Sequence, residues 1–162
     1  MHNKQQTKGQ LDPLHVRNDS EYSQKIWNKS LLDNTVNDIY NYNDSILFVA
    51  TNKGVFNFDD LENGITNKIL TDKIISSIFC EDLHHIWAGT RGEGLYGVSI
   101  TNENDEFIKN YRNNTFDLNS ISSDMIFDIF QDFSGNIWIT TEEGVSYFDP
   151  LKQNFSLVTN NI

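Results

Sequence analysis

Three windows of the chain align with one another without a gap, and this self-similarity constrains the fold more than any other feature. They are LLDNTVNDIYNYNDSILFVAT (31–51), LTDKIISSIFCEDLHHIWAGT (70–90) and ISSDMIFDIFQDFSGNIWITT (121–141). Val36, Ile75 and Ile126 share one position; Ile39, Ile78 and Ile129 share the next apolar one; Phe48, Trp87 and Trp138 supply a large aromatic. Each window ends in threonine (Thr51, Thr90, Thr141), followed by a glycine (Gly54, Gly94, Gly144) and an apolar residue (Val55, Leu95, Val145). Starts separated by about 39 and about 51 residues have the spacing of stacked structural repeats.

Each copy reads as strands. A short apolar run leads to a polar turn, NYNDS, EDLHH or QDFSGN, and then to ILFVAT, IWAGT or IWITT, which are rich in β-branched and aromatic residues. The glycine of TNKG, TRGEG and TEEG supplies the positive φ of a tight hairpin into a third strand, VFNF, LYGV or VSYF. A weaker fourth strand is expected at Ile65–Ile69, Phe107–Tyr111 and Phe155–Val158. Both faces of Ile137-Trp138-Ile139 are apolar, so its sheet should lie between two neighbours. Four antiparallel strands per repeat, stacked face to face, describe propeller blades.

The expected fold is therefore all-β, a β-propeller fragment of about three four-stranded antiparallel blades, too few to close a ring. Residues 1–22 read as a polar, flexible segment, and 23–30 as the outer strand of a preceding blade, on the strength of Lys25-Ile26-Trp27. Blades are expected at 31–69, 70–112 and 113–162. The apolar face at either end is then an interaction surface for remaining blades or another chain.

Composition removes whole classes of function. Twelve basic against twenty-three acidic residues give a net charge of −11, a field that repels a phosphate backbone and argues against nucleic-acid binding. Aromatic residues at 12% argue against disorder. The single cysteine, Cys80, excludes an intramolecular disulfide and a cysteine-rich metal site. Residues 1–30 hold no apolar leader, and no run of about eighteen apolar residues occurs, so no membrane span is expected in this chain.

The repeat resembles the two-component regulator propeller family, whose pattern is a Leu-Ser-Ser-Asn-like entry, an isoleucine-rich strand, an Asp-x-x-Gly turn, Leu-Trp-Ile-Gly-Thr, a Gly-Leu pair and a closing aromatic with Asp-Pro. The third copy matches best, through Asn119-Ser120-Ile121-Ser122-Ser123, Gln131-Asp132-Phe133-Ser134-Gly135-Asn136, Ile137-Trp138-Ile139-Thr140-Thr141, Gly144-Val145 and Tyr147-Phe148-Asp149-Pro150. The second keeps Ile86-Trp87-Ala88-Gly89-Thr90 and Gly94-Leu95-Tyr96, with His84-His85 where the turn glycine is expected. The first has Phe48 for tryptophan and Ala50 for glycine. The resemblance implies a sensor region of hybrid two-component systems or sensor histidine kinases. It also implies a periplasmic or extracytoplasmic setting and, often, recognition of polysaccharide-derived sugars.

Residues that could carry chemistry mostly have plainer explanations. Trp87 and Trp138 could stack on sugars, but their mid-strand register with Phe48 assigns them to the packing between blades. His84-His85 have no third ligand at metal-site spacing, and Asp132 with Ser134, Gly135 and Asn136 reads as a closed turn rather than a calcium loop. Residues 102–106 and Glu142-Glu143 read as solvated acidic loops, and Cys80 as a buried thiol. No enzyme motif, metal site or cofactor site is expected. Propeller geometry puts the blade-entry loops and the second-to-third-strand turns at one end, where Asn52, Arg91, Glu93 and Asn119 are the candidates to hydrogen-bond a hydroxylated ligand. The expected function is non-catalytic ligand sensing in a two-component signalling protein. The alternative is a protein–protein interaction scaffold whose ring is completed by another chain.

Overall fold

A computed structural model describes residues 35–43, 46–60, 64–102, 105–152 and 155–158. The segments expected at 1–22 and 23–30 lie outside the described residues. The first sheet holds β1 (Val36–Asn41), β2 (Leu47–Thr51), β3 (Gly54–Asp60) and β4 (Gly64–Ile69). The second holds β5 (Ile75–Cys80), β6 (His85–Thr90), β7 (Leu95–Asn102) and β8 (Asp105–Tyr111). The third holds β9 (Ile126–Gln131), β10 (Ile137–Thr141), β11 (Gly144–Phe148) and β12 (Phe155–Leu157). Each sheet is an antiparallel meander in chain order, and the described sheets do not close on themselves.

The aligned residues hold matching posts. Phe48, Trp87 and Trp138 each stand opposite the residue that follows the shared isoleucine (Ile39, Ile78 or Ile129): Phe48 faces Tyr40, Trp87 faces Phe79, Trp138 faces Phe130. The threonines lock the hairpins. Thr51 Oγ1 donates to the Gly54 carbonyl at 2.9 Å, Thr90 to that of Gly94 at 2.7 Å and Thr141 to that of Gly144 at 3.1 Å. Each hydroxyl also accepts a backbone N–H from within its turn, Lys53, Glu93 or Glu143. The three glycines have φ of +104°, +82° and +125°, a region that side-chain-bearing residues rarely occupy.

Two apolar layers join the sheets. Phe48, Ala50, Val55 and Ile69 of the first pack on Ile75, Ile78, Ile86, Ala88 and Val98 of the second. Trp87 and Leu95, from the opposite face of the second, pack on Ile129, Ile137, Ile139 and Phe148 of the third. Trp87 is 7% exposed, and its ring centroid lies 4.8 Å from that of Phe148. Val49, Phe56 and Phe58 form a third buried group on the other face of the first sheet.

Trp138 corrects the expectation that both indoles are wedged between sheets. It occupies Trp87's place in the repeat, but no described sheet packs on its face, and it is only half-buried between Phe130 and Tyr147. Position within a strand fixes the direction of a side chain; burial requires a neighbour on that side.

Candidate functional site

The meander brings every blade-entry connection to the same end as the hairpin between second and third strands, and backbone hydrogen bonds tie the two together. Gly54 N–H donates to the Lys73 carbonyl at 2.9 Å; Gly92 and Gly94 N–H both donate to the Asp124 carbonyl, at 3.1 and 3.0 Å. Glu142 N–H donates to the Met125 carbonyl at 3.1 Å, and Arg91 forms an isolated bridge with Met125. Loops held this firmly present side chains from a rigid frame.

The structure distributes the four candidate residues over that end. Asn52 is exposed in the β2–β3 turn, where its Oδ1 accepts from Asn37 Nδ2 at 2.9 Å. Arg91 is exposed at the start of the β6–β7 turn. Glu93, in the same turn, pairs with Lys73 Nζ at 2.5 Å and accepts from the Tyr96 hydroxyl at 3.3 Å. The hydrogen bond from Lys73 holds the Glu93 carboxyl below the usual range and raises Lys73 in return. Asn119 lies apart from these two turns, on the 112–125 connection, and lines a polar recess of about 440 Å³ with Arg112, Asn114, Asp117 and Ser120 over Tyr111 and Phe155.

Sequence reading did not single out the residue that organises this connection. Asp124 Oδ2 accepts from Arg112 Nη2 at 2.6 Å and Nε at 3.0 Å, while its Oδ1 accepts Asn113 N–H at 2.7 Å. Arg112 Nη2 also reaches the Gly92 carbonyl at 3.2 Å, so one guanidinium links the connection to the hairpin turn. Its bond to Asp124 pushes the guanidinium further toward the charged form. Asn113 Nδ2 donates to the carbonyls of Ile121 and Ser122, at 2.7 and 2.9 Å. No spacing in the sequence announces a contact of this kind, because Arg112 and Asp124 meet only once the loop folds back.

The other end of the sheets carries closed turns. Asp82 Oδ1 accepts the backbone N–H of His84 and His85, and the His85 Nδ1 lies 2.9 Å from Asp82 Oδ2, so the histidine pair belongs to a turn. Asp132 closes its own turn by accepting from Ser134 and Asn136 N–H. Among the described residues, no group of three or more His, Cys, Asp or Glu side chains is placed to hold a metal ion.

The family model described as "Two component regulator propeller" matches residues 120–143. Residues 120–143 are a two-component regulator propeller repeat. This repeat runs from the connection at Ser120 to the hairpin turn at Glu143, and its two flanks are therefore both at the loop end. No curated protein sequence matches the chain. Among solved structures, the chain is similar to the extracellular domain of a protein classed provisionally as a one component system of B. thetaiotaomicron, with a TM-score of 0.60 and 21% identity, over 74% of this chain and 16% of that one. A second is the extracellular domain of a hybrid two component system, also provisionally classed, of B. thetaiotaomicron, at TM-score 0.59 and 19% identity, over 78% of this chain and 17% of that one. A third is an ancestral GH74 enzyme, at TM-score 0.57 and 15% identity, over 78% of this chain and 19% of that one. At these identities the likeness shows the propeller fold shared with the repeat, and the chain spans less than a fifth of each.

Proposed function

We propose that this chain is a non-catalytic, ligand-recognising propeller segment of an extracytoplasmic two-component signalling protein, and that its loop end binds a hydroxylated ligand of the glycan-derived class. The observation that carries the reading is the family repeat at 120–143, which begins and ends in loops of that end. The pinned turns support it: Asn52, Arg91, Glu93 and Asn119 offer amide, guanidinium and carboxylate groups suited to hydroxyls, on loops whose backbones are already ordered. The extracellular domains among the similar structures support the setting.

The test is a glycan array probed with the chain, with hits titrated calorimetrically against Arg91→Ala and Asn119→Ala. Each variant is expected to weaken binding about tenfold, or about 1.4 kcal/mol. Binding unchanged in both variants rejects the assignment of the site. A second reading, an interaction scaffold, is favoured by one observation: the aromatic row of Phe130, Trp138 and Tyr147 on the third sheet, on which no described sheet packs.

A further inference from the structure

The second sheet departs from its neighbours at one place. Opposite the repeat aromatic, the first sheet sets Asn57 beside Phe48 and the third sets Tyr147 beside Trp138, whereas the second sets Gly97 beside Trp87. The benzo edge of the Trp87 indole lies over that glycine, where a Cβ would meet Cζ3, Cη2 and Cε3 of the ring. Beside this pair a cavity of about 610 Å³ lies between the second sheet and the turn after β11, a size suited to a small ligand.

Its walls are mostly apolar. Across the β7–β8 ladder Gly97 faces Lys109, Ser99 faces Phe107 and Leu95 faces Tyr111, so the three β8 side chains share the face that holds Trp87. Leu151 closes the cavity from the third sheet's β11–β12 turn. Phe107 is 65% exposed and Leu151 94%, so two large apolar side chains border one recess with much of their surface uncovered.

Charge is divided between opposite sides. Glu81 follows β5, while Lys109 lies on β8 with its Nζ 4.6 Å from the Tyr111 ring centroid. His85, also in the wall, is held through Nδ1 by Asp82 at 2.9 Å. The strand order puts three steps of about 4.8 Å between β5 and β8. Two long side chains narrow that span to a few extended residues of about 3.5 Å each. An organic anion would meet the Glu81 carboxylate in a molecule of net charge −11, and a cation would meet Lys109. A zwitterion charged at both ends meets neither cost.

We propose that this cavity binds a peptide of two or three residues with both ends free, its ammonium on Glu81, its carboxylate on Lys109 and an apolar or aromatic side chain against Trp87, Tyr111 and Phe107. Such a ligand also brings carbonyl acceptors to the wall that holds Trp87, whose buried Nε1 has no hydrogen-bond partner among the described residues. The proposal stands independently of the ligand reading, since none of Asn52, Arg91, Glu93 and Asn119 lines the cavity.

The test is calorimetric titration of the chain with Ala-Phe-Ala, Ala-Trp-Ala and Ala-Leu-Ala, each also N-acetylated or C-amidated, and with cellotriose. At least one free tripeptide should bind, and blocking either end should weaken it about tenfold, the scale of one hydrogen bond to a charged group. Glu81→Gln should weaken the free peptide by the same factor and leave the acetylated one unchanged. Lys109→Met should do likewise for the free and amidated forms. Phe107→Ser with Leu151→Ser should weaken every peptide, whereas Arg91→Ala should weaken none. No binding of any free tripeptide at millimolar concentration overturns the proposal. Equal losses for free and blocked peptides, in variants that melt as the parent does, overturn it too, because the ends would not be read at Glu81 and Lys109. Cellotriose binding that is lost with Phe107→Ser, in place of peptide binding, would make the cavity a sugar site, and the proposal falls.

Discussion

Trp138 donates its indole N–H to Asp132 Oδ2 at 2.7 Å, across the turn between β9 and β10. Trp87, at the same place in the repeat, has a buried Nε1 with no hydrogen-bond partner among the described residues. What lies beside each ring differs as well. Trp87 rests on Gly97, which offers no side chain, whereas Trp138 meets Tyr147 and stacks on it. One indole is held by packing between sheets and the other by a carboxylate of its own turn.

The Asp132 contact gives the third sheet an acid-sensitive component. The Trp138 hydrogen bond, with those from Asn136 and Ser134, holds the Asp132 carboxyl below the usual carboxylate range. A depressed carboxyl contributes stability that is fully present above the unfolded-state value, about 3.9, and is lost as pH falls through the lower folded value. Urea midpoints from pH 7 down to pH 3 should therefore fall more steeply for the parent chain than for Asp132→Ala. Parallel curves would show that the turn carboxylate has no such part.

Gly97 is the seat of the Trp87 indole. A Cβ there would meet the ring's Cζ3 at 2.9 Å, too close for the indole to stay. Gly97→Ala should cost about 1–3 kcal/mol by overpacking. Trp87→Ala should cost about 3–5 kcal/mol. Because the alanine methyl and the indole compete for one space, denaturant midpoints of the double variant should show a smaller loss than the sum. Additive losses would mean that the two residues do not share that space.

Two glycines with nearly equal φ should behave differently. Gly54 has φ +104°, and a Cβ on it would lie 2.6 Å from the Leu70 carbonyl oxygen and 2.7 Å from that of Ile69, both main-chain atoms that cannot swing away. Gly92 has φ +102° and open space around it. Gly92→Ala should therefore show only the backbone strain, about 1 kcal/mol. Gly54→Ala should exceed it clearly in thermal melts; equal losses would leave the close approach of the two carbonyls without consequence.

Burial pushes the Cys80 thiol up, with Asp82 adding to the effect, and the side chain is nearly inaccessible in the layer between the first and second sheets. The thiolate is the reactive form, so iodoacetamide at pH 8 should leave the folded chain unmodified and alkylate it once in denaturant, as read by intact mass. Modification of the folded chain at the rate of a free thiol would place Cys80 outside that layer.

The strands and their turns were legible in the residues themselves. Alternation and β-branching are local signals, and three copies in register amplify them, so β2, β6 and β10 fall where ILFVAT, IWAGT and IWITT stand. The hairpin glycines were legible for the same reason, since positive φ is a property of one residue. The Arg112–Asp124 clamp and the unequal fates of Trp87 and Trp138 were decided only by the tertiary structure. A side chain's direction is written into its own strand. Its partner and its burial depend on which distant segment the fold sets against it, and no periodicity within the strand records that.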